Sequence, residues 1–116
     1  MKDNTIELDD TATPAAINFA PIFNVAVPFI DRHLDEGRAG KVAIITETEK
    51  VTYGQLADRV NRAGNLLLSL GVKPSDRLLM VVKDCPEFMY IFFGAVKAGI
   101  IPVPVNTMMR EADYKY

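Results

Sequence analysis

A chain of 116 residues, 49% hydrophobic and 24% charged, has the size and composition of one small globular domain. Thirteen basic and fifteen acidic residues are well mixed, with a net charge of −2, so the basic stripe of a nucleic-acid binder is excluded. The longest apolar run, Phe88–Val96, is far too short to span a bilayer; the acidic, polar N-terminus has no signal-peptide core; and a lone cysteine, Cys85, excludes an internal disulfide and points to a reducing compartment, the cytoplasm.

Residues 1–20 show no clear period and are rich in Thr, Asp, Ala and Pro, which predicts a flexible or extended lead over residues 1–18. Phe19, Ile22 and Phe23 are candidates to anchor its end. Residues 24–37 predict a first helix, with Val27, Ile30 and Leu34 on one apolar face and Pro28 confined to the first turn. Asn24 or Val25 is expected near its cap and Gly37 just past its end. Residues 42–53 predict a hairpin: Val42–Ile45, a polar turn over Thr46–Lys50, and a return through Val51–Tyr53.

Thr52-Tyr53-Gly54-Gln55 matches a capping box, in which the Thr hydroxyl and the Gln side chain each satisfy the other residue's amide. The helix that follows, 53–70, carries Leu56, Val60, Ala63, Leu67 and Leu70 at spacings of three and four, with Asp58, Arg59 and Arg62 off that stripe. Gly71 is its expected left-handed end. Arg77–Val82 is a continuous apolar run, the pattern of a strand covered on both faces. Asp84 is the expected cap of the next helix, 86–98, with Pro86 at its first position, Glu87 in its first turn and Lys97 in its last. Nearly every position between them is apolar, so this helix should be buried on most sides. Ile100–Val105 predicts a strand able to pair on one side only, because Pro102 and Pro104 remove two amide donors from the same edge. Strand, helix and strand make a βαβ unit. Thr107 or Arg110 then opens another helix with an acidic first turn, Glu111-Ala112-Asp113. The fold class is therefore α/β: an N-terminal helix, a β-hairpin, then βαβ of a mostly parallel sheet, as an incomplete part of a larger domain.

Few residues carry chemistry. His33 with Asp35 and Glu36 offers one imidazole at a helix end, where a solvated terminus is the simpler reading than a metal site lacking converging ligands. Cys85 lies at a helix N-terminus, which favours thiolate, but no base partner is readable, and a small packed residue is the simpler role. No glycine pattern makes a phosphate-binding loop. No catalytic, cofactor-binding or metal-ligating residue is assigned. The Phe88–Val96 cluster reads either as core or as a surface for self-association.

Taken together, Thr52-Tyr53-Gly54-Gln55-Leu56, the junction Leu70-Gly71-Val72 leading to Asp76-Arg77, Pro86-Glu87-Phe88, Ala98-Gly99 and Pro102-Val103-Pro104-Val105-Asn106 resemble the N-terminal region of the adenylate-forming acyl- and aryl-CoA ligase superfamily. Phe23–Ile45 and Val105–Tyr116 are similar to benzoate-type aryl-CoA ligases within it. The resemblance covers about Phe19 to Tyr116. It implies that residues 19–116 are the first part of the large N-terminal domain of an enzyme acting on an aromatic carboxylate, with ATP, Mg²⁺ and coenzyme A. An acyl-adenylate and pyrophosphate form first, and the CoA thiolate then gives the thioester. It also implies that the phosphate loop, the adenine and ribose motifs and the catalytic lysine lie outside this segment, so that the chain alone is inactive. In some relatives a basic residue just after the Asn matching Asn106 approaches CoA; here Thr107, Met108 and Met109 stand there, with Arg110 next, and no CoA contact carries over. The alternative to an enzyme segment is a free-standing α/β interaction module associating through Phe88–Val96.

Overall fold

The computed structural model describes residues 1–115. In chain order the elements are β1 (Ile6–Asp9), β2 (Ala16–Phe19), a π-helical turn (Val27–Asp31) running into α1 (Arg32–Asp35), β3 (Val42–Ile45), β4 (Lys50–Thr52), α2 (Tyr53–Ser69), β5 (Arg77–Met80), α3 (Pro86–Lys97), β6 (Ile101–Pro104) and a 3₁₀ helix (Glu111–Lys115). They form three two-stranded sheets: β1 with β2 and β3 with β4 antiparallel, β5 with β6 parallel. The α/β class, the hairpin and the βαβ unit are all present.

The local signals act where they were expected. Gln55 N donates to Thr52 Oγ1 at 3.3 Å, and Thr52 N donates to Gln55 Oε1 at 2.9 Å, so the capping box closes in both directions and starts α2 directly on the last residue of β4. Gly71 and Gly99 end α2 and α3 with φ of 87° and 76°, the left-handed region that other residues adopt at a cost. Pro28 falls in the first turn of its helix, which opens as a π turn; a proline there supplies no N–H to an α ladder.

Several expectations need correction or refinement. The lead holds a hairpin, in which Ile6 faces Phe19 and Leu8 faces Ile17. Its period-2 alternation lasts only four residues per strand and is hidden by the Thr, Asp and Pro residues between. Leu34 does not complete the apolar face of the first helix: it is exposed, and the buried residues there are Ala26, Pro28 and Ile30. The helix cap is Ala26, next to Val25, and Asn24 Oδ1 accepts from its amide at 3.0 Å, so both residues lie near the cap as expected. Asp84 does not cap α3. Proline at the first helical position holds its predecessor extended, so Cys85 (φ −154°, ψ 165°) takes the cap position and Asp84 lies one residue too early. Finally, β5 is covered on one face only. Met80 is buried and Leu78 half-buried, but Leu79 remains 59% exposed. The helix expected after Asn106 is a 3₁₀ helix, led by Arg110, whose amide donates to Asp113 Oδ2 at 2.9 Å; Tyr116 lies outside the described residues.

The core is a cluster of Ile30, Val51, Leu56, Ala57, Val60 and Tyr90, flanked by half-buried Ile44, Met89 and Phe93. It joins the first helix, the β3–β4 hairpin, α2 and α3. Residues 88–96 all lie within or against packed structure, none of them exposed. α2 and α3 meet at Gly64 and Gly94. A Cβ on Gly94 would lie 2.8 Å from both Gly64 N and Val60 O, and one on Gly64 would lie 2.8 Å from Gly94 O. These are backbone atoms, which cannot rotate aside.

Helix propensity alone makes Gly→Ala favourable by about 1 kcal/mol in a helix interior. At Gly94 the clash should dominate, and Gly94→Ala is expected to destabilise by about 1–3 kcal/mol. Denaturant unfolding of Gly94→Ala beside Gly40→Ala, whose Cβ meets nothing within 4 Å, measures the difference. A gain in stability at Gly94 would show that the helices can separate freely.

Candidate functional site

The parallel pair sets the most site-like geometry. Open α/β sheets bind ligands outside the carboxyl ends of their strands. There, Val82, Lys83 and Asp84 leave β5 while Val105, Asn106 and Thr107 leave β6, and with Phe88 and Met108 they line an open cleft of about 430 Å³. The far wall is braced. Asn106 Oδ1 accepts from Met108 N at 2.8 Å, and the Tyr114 hydroxyl donates to the Asn106 carbonyl at 2.6 Å, pinning the 3₁₀ helix to the end of β6. The cleft thus presents one ammonium, one carboxylate and small polar groups on an apolar base. That suits binding and orientation. It holds no nucleophile paired with a base.

Cys85 stands next to this cleft, half-buried at the N-terminus of α3, with no side-chain cap bond. Its neighbour Glu87 has a carboxyl held below the usual carboxylate range, first by its own backbone amide and then by the Cys85 thiol. A carboxyl held low in this way is a weak base, and the only histidine lies elsewhere, on α1. The simpler role, a small packed residue, fits this placement. The first amides of α2 are already engaged: Tyr53 N donates to Lys41 O and Gly54 N to Ala39 O, both at 2.9 Å, and Gln55 N donates to Thr52 Oγ1, while α3 begins with a proline.

His33 is engaged in packing. Its ring stacks on Tyr53 with centroids 3.9 Å apart, and its Nδ1 accepts from Arg38 Nε at 3.0 Å. Arg38 also pairs with Glu36. Among the described residues, no three His, Cys, Asp or Glu side chains converge as metal ligands. A further cluster escaped the sequence reading. Arg59, placed there off the apolar stripe of α2, reaches α3: its Nη1 donates to the Tyr90 hydroxyl at 2.5 Å and lies 3.5 Å from Glu49 Oε2. The guanidinium stands 5.3 Å from the Tyr90 ring centroid. Its spacing from Leu56 and Val60 carried the only available signal, a position at the border of the apolar stripe.

Burial first, then the charges of Arg38 and Arg32, hold the His33 imidazole below its ordinary range; Lys41 adds to this and Glu36 opposes it. The fold therefore favours neutral His33. Its contribution is present above the unfolded pKa of about 6.5 and is lost as pH falls through the lower folded value. In melts between about pH 8 and pH 5, His33→Phe, which keeps a ring on Tyr53 but cannot titrate, should lose less stability than wild type. Parallel pH profiles would show that another group is responsible.

Residues 31–116 match the family model described as AMP-binding enzyme. The chain is 44% identical over 94 residues to the 4-hydroxybenzoate–CoA/benzoate–CoA ligase of Rhodopseudomonas palustris, covering 81% of this chain and 17% of that protein. It is 42% identical over 109 residues to the benzoate–CoA ligase of Thauera aromatica, covering 93% and 21%. The solved benzoate CoA ligase from Burkholderia xenovorans LB400 superposes with a TM-score of 0.73 at 43% identity, over 80% of this chain and 19% of that one. The chain thus spans about a fifth of the length of the curated relatives it matches.

Proposed function

The chain belongs to the AMP-binding enzyme family, and we propose that it is the leading part of the large N-terminal domain of an ATP-dependent aryl-CoA ligase. The observation that supports this reading is the likeness to benzoate–CoA ligases in sequence and in backbone at once. Residues 19–116 begin that domain, and residues 1–18 form its lead. The reaction is benzoate, ATP and CoA to benzoyl-CoA, AMP and pyrophosphate through an acyl-adenylate, with Mg²⁺, in the cytoplasm. Among the described residues, no helix is long and apolar enough to cross a membrane.

Within that reaction this segment acts as scaffold. The Gly64–Gly94 crossing and the β5–β6 pair fix one wall of a site whose reacting groups come from elsewhere in the enzyme, and positioning of that kind is a large part of how acyl activation proceeds. The cleft beyond β5 and β6 offers orientation through Lys83, Asn106 and Thr107 and contributes no proton transfer. The full-length polypeptide carrying this segment should release pyrophosphate on addition of benzoate, ATP and Mg²⁺ and form benzoyl-CoA when CoA is supplied. The 116-residue chain alone should do neither. Turnover by the short chain would place the chemistry inside it and overturn the scaffold reading; a full-length protein inert toward every aromatic carboxylate would overturn the ligase reading.

A further inference from the structure

The β1–β2 hairpin is an amphipathic arm that the described residues leave uncovered. Ile6 pairs with Phe19 and Leu8 with Ile17, which puts these four side chains on one face, while Glu7, Asp9 and Asn18 share the other. All seven are exposed, the apolar four at 42–65%. The arm is tied to the chain beyond it at its base, where Asn4 N donates to the Ile22 carbonyl and Asn24 N to Asn4 Oδ1. A lone two-stranded hairpin is marginal in water, so its apolar face needs cover. The arm also lies outside residues 31–116, the region that matches the family model. At its base Phe19 meets Phe23 edge to face, with ring centroids 4.9 Å apart. Phe23 in turn lines an open groove of about 490 Å³, formed by residues 23–25, Val96 and residues 99–102, none of them charged. Pro102 has no N–H to give, so an occupant of this groove is held by its side chains there. Through Phe19 and Phe23, arm and groove make one continuous apolar strip.

We propose that this strip is the contact between two copies of the protein, the arm of each seated in the groove of the other. A strip that joins two unlike halves end to end is self-complementary about a two-fold axis at the junction, which here is the Phe19–Phe23 contact. The four apolar side chains of the arm each leave on the order of 100 Å² bare, so the two arm–groove contacts together bury about 1,600 Å², the size of a standard specific interface. Packing the two arms face to face buries about half of that, short of what a stable dimer needs. Charge selects the same arrangement. With the apolar face in the groove, Glu7 and Asp9 keep their side chains in water and no charge is buried. Pairing two β1 edges would instead bring the acidic residues of both copies onto one face, where like charges repel.

Sedimentation equilibrium of the full-length polypeptide tests this directly. The wild type should be dimeric at micromolar concentration. Leu8→Asp and Ile17→Asp, on the apolar face, should each raise the dimer dissociation constant by about tenfold or more, whereas Glu7→Gln, on the opposite face, should leave it unchanged. A second measurement does not depend on how well the aspartate variants fold. Leu8→Cys and Ile101→Cys polypeptides, both also carrying Cys85→Ser, are mixed and oxidised, and disulfide-linked peptides are mapped by mass spectrometry. A bond between positions 8 and 101 of different copies is expected. A monomeric wild type overturns the inference, and so does a dimer indifferent to Leu8→Asp and Ile17→Asp. A bond joining position 8 of one copy to position 8 of the other overturns it in favour of arms packed face to face. The absence of any bond at position 101 overturns it as well. None of these outcomes bears on turnover, so the ligase reading stands or falls separately.

Discussion

The close crossing of α2 and α3 is the constraint on which the rest of the structure depends. Two glycines meet there with backbone against backbone, so the interhelical distance is set by atoms that have no rotamers. Everything with a fixed position is referred to that contact. α2 begins on the last residue of β4 through its capping box, which places the β3–β4 hairpin relative to the crossing. α3 lies between β5 and β6 in the chain, which places the parallel pair. The apolar cluster around Val51, Leu56, Val60 and Tyr90 then fills the space the crossing defines. A core of this size contributes modest stability, and an inflexible helix contact limits the alternative packings open to it.

Polar contacts at the rim attach the N-terminal region to this frame. The Asn24 side chain donates to the Val96 carbonyl at 2.9 Å, and its backbone amide donates to Asn4 Oδ1 at 2.7 Å, so the backbone at the end of α3 and a side chain in the lead share a residue. Lys97 pairs with Asp31 at 2.7 Å. Each bond is worth little by itself in partly exposed surroundings. Their value is directional: they orient the first helix and the lead on the C-terminal end of α3, where the last carbonyls need partners and a cation is favoured. Arg59 does the same between α2 and α3, with the Tyr90 hydroxyl satisfied at the border of the core.

What could be read in the sequence was what is decided locally. The capping box, the glycine ends of α2 and α3, the turn position of Pro28 and the one-sided pairing forced by Pro102 and Pro104 all follow from a few neighbouring residues and their backbone demands. The readings that failed needed information from far along the chain or from one residue away. Leu34 has the right spacing to be buried, but it stays at the surface. Asp84 has the right chemistry for a cap, but Pro86 moves the cap to Cys85. The β1–β2 hairpin is too short for its alternation to stand out. Cover on both faces of β5 was inferred from composition, and composition records the environment a strand is suited to, not the one a segment of chain provides. The site was the least legible part. Lys83 and Asp84 lie in one stretch of sequence and Asn106 and Thr107 in another, and the two become neighbours only because β5 and β6 run parallel and end together.

That division explains how a segment can identify its family through residues whose role is to direct the backbone. The residues behind the resemblance are backbone-determining: a cap at Thr52, helix ends at Gly71 and Gly99, a helix start at Pro86, blocked donors at Pro102 and Pro104. Each is required by the path of the chain, whatever carboxylate is activated. Reacting groups, by contrast, must converge in space, and a βαβ unit with one bare edge and one bare face supplies a wall but no enclosure. The exposed side chains of Leu79 and Ile101 and an uncharged groove beside β5 leave this sheet, among the described residues, with one bare face, and the cleft at its carboxyl end stands open.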